Sequence, residues 1–199
     1  MCRFIETICF EKGNFQRVEL HNERFNLTRK HFFGMQDGLR LELLLSIPEP
    51  LMGQTVKCTV SYGSEIVNVD YAAYHIRTVK SLRLINDDTI DYAFKYYDRT
   101  KIASLYQKRG QCDDILIVKN GLITDTSYAN IVFLKDNQWY SPQDPLLRGT
   151  RLKSYLQTGL ITPALLRPDD LRVFSEARII NAMISIEDAP VIRIQNICI

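Results

Sequence analysis

Residues 113–133 read DDILIVKNGLITDTSYANIVF, and this stretch says most about the fold. Asp113–Lys119 is dominated by β-branched and aliphatic side chains and predicts a strand. The dipeptide Asn120-Gly121 favours a hairpin turn, so the chain from Leu122 onward is expected to pair with the first strand. Another strand is predicted at Asn130–Leu134. These residues therefore predict an antiparallel sheet in the second half of the chain.

The composition is that of an ordinary globular protein. The chain has 199 residues, of which 46% are hydrophobic and 24% are charged. A chain of this length buries enough surface to fold without a disulfide or a metal ion. These values exclude disorder, collagen and coiled coil as descriptions of the whole chain.

Charge and hydropathy limit the expected partners. The 25 Lys and Arg residues against 23 Asp and Glu give a net charge of +2 with no basic tract, so no nucleic-acid partner is expected. No apolar run approaches the roughly 18 residues of a membrane-spanning helix, and the N-terminus lacks the apolar region of a signal peptide. We therefore expect no membrane partner and a cytoplasmic location.

Cysteine and histidine spacing predicts no metal site. The three histidines lack ligand spacing and are expected to be surface or structural residues. The cysteines are odd in number, far apart and without a C-x-x-C pair, so neither a disulfide framework nor a zinc site is predicted. The cysteines are Cys2, Cys9, Cys58, Cys112 and Cys198.

The polar stretch 86–89 is the predicted boundary between an N-terminal α/β domain, residues 1–86, and a C-terminal domain, residues 90–199. Both halves mix helix and strand signals, so the predicted fold class is α+β. In the first half the predicted elements are strands at 3–10 and 15–20, a helix from Asn22 to Gly34, and strands at 55–61, 65–71 and 79–85. Beyond the hairpin the sequence predicts a helix at about 151–157 and final strands at 172–180 and 190–197.

Three polar segments are candidates for chemistry. Lys95 lies between aromatic and apolar residues, which could lower the pKa of its ammonium group as a Schiff-base lysine requires; the alternative is a surface lysine. Residues 124–131 could line a pocket or form an ordinary turn. Residues 147–151 open a helix whose N–H groups could bind an anion, or are a plain helix start. The sequence has no G-x-S-x-G, P-loop or G-x-G-x-x-G motif.

Together, in this order and spacing, the three segments resemble the class IV aminotransferase family, the fold-type IV pyridoxal-phosphate enzymes. Residues 113–133 resemble its signature strand, turn and E-x-x-x-x-N-[IL]-F segment, and residues 172–191 its closing segment. Glu6-Thr7-Ile8 and residues 21–25 resemble its F-E-T start and H-x-x-R-L helix. The resemblance covers nearly the whole chain. It implies a small N-terminal α/β sandwich domain followed by a larger C-terminal domain with a barrel-like sheet.

The resemblance implies pyridoxal 5′-phosphate as cofactor and assigns roles to individual residues. Lys95 would hold the cofactor covalently and move protons at the substrate Cα. Asp125 stands where the family usually has Glu and would pair with the pyridine nitrogen, which keeps the ring protonated. Arg24 would bind the phosphate through its guanidinium. Further phosphate contacts are implied for Gly149, Thr150, Arg151, Asn181 and Ala182.

The offsets after the lysine favour one branch of the family. Lys95–Arg99 has the form K-x-x-[ND]-R, which is similar to aminodeoxychorismate lyase. That enzyme eliminates pyruvate from 4-amino-4-deoxychorismate and leaves p-aminobenzoate, a step of folate biosynthesis. The alternative is an amino-acid aminotransferase acting on branched-chain or D-amino acids. Either way the substrate is a small amino-acid-like molecule, and Tyr74 and Arg77, predicted on a strand, are candidates to bind its carboxylates.

Two departures from the family pattern are compatible with a protein that is not an enzyme. Leu152 stands where the family often has Arg, and Arg151 comes one residue early. The chain is also short for the family. These features suit a catalytically inactive homologue that binds a ligand or a partner. The family usually builds its site at a dimer interface, so the resemblance implies a homodimer.

Overall fold

Residue contacts separate the computed structural model, which describes residues 3–198, into two units. The first unit contains the residues up to His75 together with Phe94–Asp98, and the second contains Ile76–Ala93 together with the residues from Arg99 onward. Residues 76–86, which the sequence assigned to the first domain, therefore belong to the second unit. The reason is a parallel strand pairing with residues 114–118, which local sequence does not reveal. Cys2 lies outside the described residues.

The first unit, in its described residues, is an antiparallel four-stranded sheet with one α-helix. Its strands are ordered β2-β1-β3-β4. The elements are β1 (Phe4–Glu11), β2 (Asn14–Phe15), α1 (Val18–Phe33), β3 (Val56–Tyr62) and β4 (Ile66–Ala73). Short 3-10 turns lie at Leu41–Leu43 and Glu49–Leu51.

Helix α1 begins earlier than its sequence indicates. Arg17 adopts a left-handed conformation with φ 52°, which ends the extended chain and starts the helix at Val18. The predicted strand at 15–20 is therefore wrong beyond Phe15. The predicted helix end is confirmed, because Gly34 has φ 68° and its N–H donates to the carbonyls of Arg29 and Lys30.

Aromatic side chains form the core of the first unit. Phe4 on β1, Phe25 on α1 and Tyr62 on β3 are fully buried. The ring centroids of Phe25 and Tyr62 lie 4.6 Å apart, and those of Phe4 and Tyr62 lie 5.8 Å apart. This packing places the face of α1 that carries Phe25 against the sheet, with His21 one turn earlier on the same face and Arg24 directly before Phe25.

The second unit is built on a larger mixed sheet. Among the described residues its strand order is β10-β9-β8-β7-β6-β5-β13, with β11 pairing to β8 and β12. The strands are β5 (Leu82–Asn86), β6 (Asp114–Lys119), β7 (Leu122–Thr126), β8 (Asn130–Lys135), β9 (Gln138–Pro142), β10 (Ile161–Ala164), β11 (Glu176–Ile180), β12 (Ile192–Arg193) and β13 (Ile197–Cys198). The α-helices are α2 (Thr100–Tyr106) and α3 (Thr150–Gln157), with 3-10 turns at Gln107–Arg109, Pro168–Val173 and Ile194–Asn196.

The predicted hairpin is confirmed. β6 and β7 pair antiparallel, and Asn120 and Gly121 both have positive φ, 52° and 75°, as a type I′ turn requires. The predicted strand at 172–180 is shorter, because residues 168–173 form a 3-10 turn that begins with Pro168. None of the helices in residues 3–198 combines the length and the apolar character needed to cross a membrane.

Candidate active site

Lys95 lies in a short segment that pairs with the edge of β1, at the centre of a tight turn in which the N–H of Tyr96 donates to the carbonyl of Phe94 at 2.9 Å. The N–H of Ile5 donates to the carbonyl of Lys95 at 3.0 Å, and the N–H of Tyr97 donates to the carbonyl of Arg3 at 2.9 Å. Tyr96 forms an antiparallel bridge with Phe4. This edge is accessible because β2 pairs with the opposite end of β1. The lysine is therefore held by backbone pairing rather than by a helix.

The aromatic neighbours of Lys95 anchor this segment in the first unit. The rings of Phe94 and Tyr96 lie 6.4 Å and 5.3 Å from the ring of Phe4. The backbone turns at Lys95 itself, which lies between these two anchored rings along the chain. The side chain is half-buried.

Arg24 is part of a buried ionic cluster with Glu6 and His21. Its Nε donates to Glu6 Oε1 at 2.8 Å and its Nη2 to Glu6 Oε2 at 2.6 Å. His21 Nδ1 lies 2.6 Å from the same Oε2. Glu6 and His21 are fully buried, whereas the Arg24 side chain is 17% exposed. A guanidinium carries five N–H donors, so the pair with Glu6 does not by itself exhaust its capacity to bind an anion.

Glu6 is the residue that orients Arg24. Although burial acts to raise it, the pKa of Glu6 is lowered to about 2 by the charge and hydrogen bonds of Arg24 and His21. Burial lowers the pKa of His21, against the opposing effect of Glu6. Neither Glu6 nor His21 was predicted from the sequence as a site residue. Both residues belong to motifs that resemble the family. Glu6 is the acidic residue of the F-E-T start, and His21 opens the H-x-x-R-L segment that also contains Arg24.

Asp125 lies at the point where β7 and β8 pair, opposite Asn130. Its Oδ1 accepts a hydrogen bond from Asn130 Nδ2 at 2.7 Å, and its Oδ2 accepts one from the N–H of Leu147 at 3.0 Å. Burial raises the pKa of Asp125 to about 7, despite these bonds, which act to lower it. The carboxyl can therefore hold or release a proton near neutral pH.

The start of α3 is joined to this carboxyl through Asn130. Asn130 Nδ2 also donates to the carbonyl of Leu147 at 2.8 Å, and its Oδ1 accepts from the N–H of Gly149 at 3.1 Å. The approach is so close that a Cβ on Gly149 would lie 2.4 Å from Asn130 Oδ1. Asn130 belongs to the segment that resembles E-x-x-x-x-N-[IL]-F, but no role was predicted for it from the sequence.

The two predicted phosphate segments of the second unit lie next to each other. Arg151 Nε donates to the carbonyl of Asn181 at 2.7 Å, and its Nη2 to the carbonyl of Ala182 at 3.1 Å. Asn181 Oδ1 in turn accepts from the N–H of Met183 at 2.8 Å. Leu152, where the family often has Arg, is buried in an apolar cluster. The Arg151 side chain thus fastens α3 to the 181–182 loop.

Neither of the two candidate carboxylate binders lies in a strand, although Tyr74 directly follows β4. Residues 74–80 have no strand pairing, so the predicted strand position of Tyr74 and Arg77 is wrong. Arg77 belongs to the second unit, where its Nη2 donates to Tyr106 Oη at 3.3 Å and lies 3.9 Å from Asp114 Oδ2. Tyr74 belongs to the first unit, and its N–H donates to the carbonyl of Thr55 at 2.9 Å. The positive charge of Arg77 thus lies close to the buried carboxyl of Asp114.

The second unit therefore offers a buried carboxyl and a helix N-terminus linked by one amide side chain. Such a pair suits a ligand with a basic ring nitrogen and an anionic group, since a helix N-terminus favours negative charge. The residues described contain no cluster of three or more His, Cys, Asp or Glu side chains that could hold a metal ion.

The model of the amino-transferase class IV family matches residues 3–194, and the chain belongs to this family. An uncharacterized protein of Haemophilus influenzae is 35% identical over 185 residues, which are 92% of this chain and 98% of that protein. The crystal structure of a candidate 4-amino-4-deoxychorismate lyase from Haemophilus somnus is 28% identical with a TM-score of 0.85, covering 92% of this chain and 97% of that one.

More distant structures share the fold. A candidate amino-acid aminotransferase from Mesorhizobium loti is 19% identical with a TM-score of 0.80, covering 97% of this chain and 98% of that one. A hypothetical aminotransferase from Mycobacterium tuberculosis, in a pyridoxal-phosphate-bound form, is 16% identical with a TM-score of 0.78. The match covers 96% of this chain and 80% of that one. The predicted α+β, class IV aminotransferase-like fold is confirmed.

Exchanging Gly149 for alanine is expected to destabilise the second unit by about 1–3 kcal/mol, because the new methyl group would overlap Asn130 Oδ1. The backbone conformation of Gly149, φ −62° and ψ 151°, is open to alanine, so the effect is steric. Chemical denaturation measures it. Gly63→Ala is the control, since its Cβ would meet Phe33 at an ordinary 3.8 Å; equal stabilities of the two variants would contradict the prediction.

Stability should depend on pH through Asp125. Its folded-state pKa of about 7 lies above the usual value of 3.8, so its stabilising contribution is present below about pH 4 and is lost as the pH rises through 7. We expect the stability difference between wild type and Asp125→Asn to change across this range in urea denaturation series. Thr124→Val, at a buried residue of the same strand that has no titratable group, should show no such trend. A pH-independent difference for Asp125→Asn would refute the assignment.

Proposed function

We propose that this protein is a pyridoxal-phosphate-dependent enzyme that eliminates pyruvate from 4-amino-4-deoxychorismate and releases p-aminobenzoate. The observation that carries the proposal is the buried Asp125 carboxyl, bonded through Asn130 to the start of α3. Membership of the class IV aminotransferase family supports the cofactor. A homodimer in the cytoplasm, acting on a small amino-acid-like substrate, is part of the same proposal.

The residues of the second unit fit the cofactor. The Asp125 carboxyl accepts hydrogen bonds from Asn130 and from the backbone of Leu146 and Leu147. A carboxylate has about four acceptor sites, so one remains for a protonated ring nitrogen. A neighbouring positive charge would favour the ionised form of a carboxyl whose pKa is otherwise raised by burial. The backbone at the start of α3 suits the phosphate.

In the proposed reaction, each of the predicted site residues would have a separate role. Pyridoxal phosphate, when bound, supplies an electron sink for negative charge that develops at the substrate Cα. Lys95 would bind the cofactor covalently and afterwards carry a proton to or from Cα. Asp125 would keep the ring nitrogen protonated. In the second unit the backbone N–H groups of Thr150 and Arg151 and the Asn181–Ala182 loop would hold the phosphate, whereas the N–H of Gly149 is already donated to Asn130 Oδ1. Arg24 of the first unit keeps the phosphate role that the family resemblance implies.

Two observations favour the lyase over an aminotransferase. Lys95–Arg99 keeps the K-x-x-[ND]-R spacing of the lyase branch. The candidate lyase from Haemophilus somnus is 28% identical over 92% of this chain, whereas the aminotransferase structures described above share the fold at lower identity. The aminotransferase alternative differs in one respect that can be measured, because it needs a keto acid as amino-group acceptor.

The deciding experiment incubates the protein and pyridoxal phosphate with 4-amino-4-deoxychorismate. A lyase forms p-aminobenzoate and pyruvate in equal amounts without any keto acid, as followed by fluorescence and by a lactate dehydrogenase-coupled assay. Amino-group transfer that depends on 2-oxoglutarate, tested with branched-chain and D-amino acids, would assign the aminotransferase instead. Cofactor binding with neither reaction would overturn the proposal in favour of an inactive, ligand-binding homologue.

A further inference from the structure

We infer that Asn130 is a positioning residue that holds the Asp125 carboxyl and the start of α3 at a fixed separation. The inference rests on the proposed function, in which these two groups receive opposite ends of the cofactor. One amide side chain would thereby set the distance between the ring-nitrogen acceptor and the phosphate-binding backbone. The two groups come from segments 24 residues apart, Asp125 on β7 and Gly149 before α3, so no local structure sets that distance.

The hydrogen bonds leave the Asn130 amide one orientation. Nδ2 donates to Asp125 Oδ1 at 2.7 Å and to the carbonyl of Leu147 at 2.8 Å, which uses both of its protons. Oδ1 accepts from the N–H of Gly149 at 3.1 Å. A rotated amide would set donor against donor at Gly149 and acceptor against acceptor at Asp125 and Leu147. Asparagine is thus the residue whose donors and acceptor match all three neighbours.

The surroundings leave the Asn130 side chain little freedom. It is 5% exposed, and its backbone is paired with Asp125 across β7 and β8. Gly149 approaches Oδ1 so closely that even a methyl group could not be inserted. Leu147 bonds both partners, since its N–H donates to Asp125 and its carbonyl accepts from Asn130. Asp125, Asn130, Leu147 and Gly149 thus form one closed network.

The test compares Asn130→Ala and Asn130→Asp with the control Thr124→Val. Thr124 is a buried neighbour on β7 whose hydroxyl donates to the carbonyl of Ile117 at 2.9 Å, so the control loses a buried hydrogen bond outside the network. Asn130→Asp keeps the size of the side chain, but in its ionised form it has no donor for Asp125 and adds a like charge beside it. Two measurements use the protein without cofactor: carboxyl-carbon NMR titration of Asp125, and hydrogen exchange of the Gly149 amide with selectively labelled glycine.

We expect both Asn130 variants to raise the titration midpoint of Asp125 and to speed exchange at Gly149, with neither change in Thr124→Val. The Kd for pyridoxal phosphate should rise about tenfold or more in the Asn130 variants. Unchanged titration and exchange in both variants, or equal changes in the control, would overturn the inference. If wild type fails to bind the cofactor, the proposed function fails, while titration and exchange still decide the role of Asn130.

Discussion

Exchange of Lys95 for alanine is expected to abolish covalent capture of pyridoxal phosphate and to lower turnover at least about 10²-fold, the range for loss of a proton-transfer group. The amine is the nucleophile and the proton carrier in the proposed reaction, and no other atom of the residue can replace it. The fold should persist, because Lys95 contributes its backbone carbonyl to the pairing with Ile5 and alanine retains that group. Visible absorption of the protein with added cofactor measures capture.

Two control variants test whether the effect is specific to the Lys95 amine. One retains the positive charge at position 95, and the other removes a different lysine. Lys95→Arg keeps a positive charge but cannot bind the cofactor covalently. Lys101→Ala removes a lysine of α2 whose Nζ donates to Thr89 Oγ1 at 2.9 Å, and it should bind the cofactor like wild type. Borohydride reduction and peptide mapping should find the label on Lys95. A label on another lysine would refute the assignment.

The exchange of Glu6 for glutamine is expected to cost roughly 3–5 kcal/mol of stability, the usual effect of removing one partner of a buried ion pair. Glutamine preserves the volume but leaves Arg24 and His21 without their carboxylate. Chemical denaturation at pH 7 measures the loss. Glu42→Gln is the control: it also pairs with an arginine, Arg40, but that side chain is 65% exposed, so the cost should stay below about 1 kcal/mol.

The same variant has a predicted pH dependence. The folded-state pKa of Glu6, about 2, lies below its usual value of 4.5. Its contribution is therefore fully present above about pH 5 and is lost as the pH falls towards 2. The stability gap between wild type and Glu6→Gln should narrow over that interval. A gap that stays constant would mean that Glu6 acts through packing rather than through its charge.

The local elements show how far sequence patterns reach. The turn at Asn120-Gly121 and the helix at 151–157 were predicted because their signals lie within a few residues: a dipeptide that favours positive φ, and Gly149-Thr150 before the helix with Gly159 after it. The start of α1 was predicted too late, because no glycine or asparagine at position 17 indicates the left-handed conformation that Arg17 adopts. The domain boundary was placed by local polarity, whereas the parallel pairing of β5 with β6 joins segments about thirty residues apart.

The amino-acid sequence by itself determined the family, the hairpin and the identities of Lys95, Asp125 and Arg24 as candidates, because motifs and turns depend on residue order along the chain. Only the tertiary structure decided which groups meet: Glu6 with Arg24 and His21, and Asn130 with Asp125 and Gly149. These contacts join residues between 5 and 19 positions apart on different elements. The geometry of these contacts depends on which strands pair and on how a helix or loop packs against them. The hydrophobic periodicity of the sequence does not specify that packing.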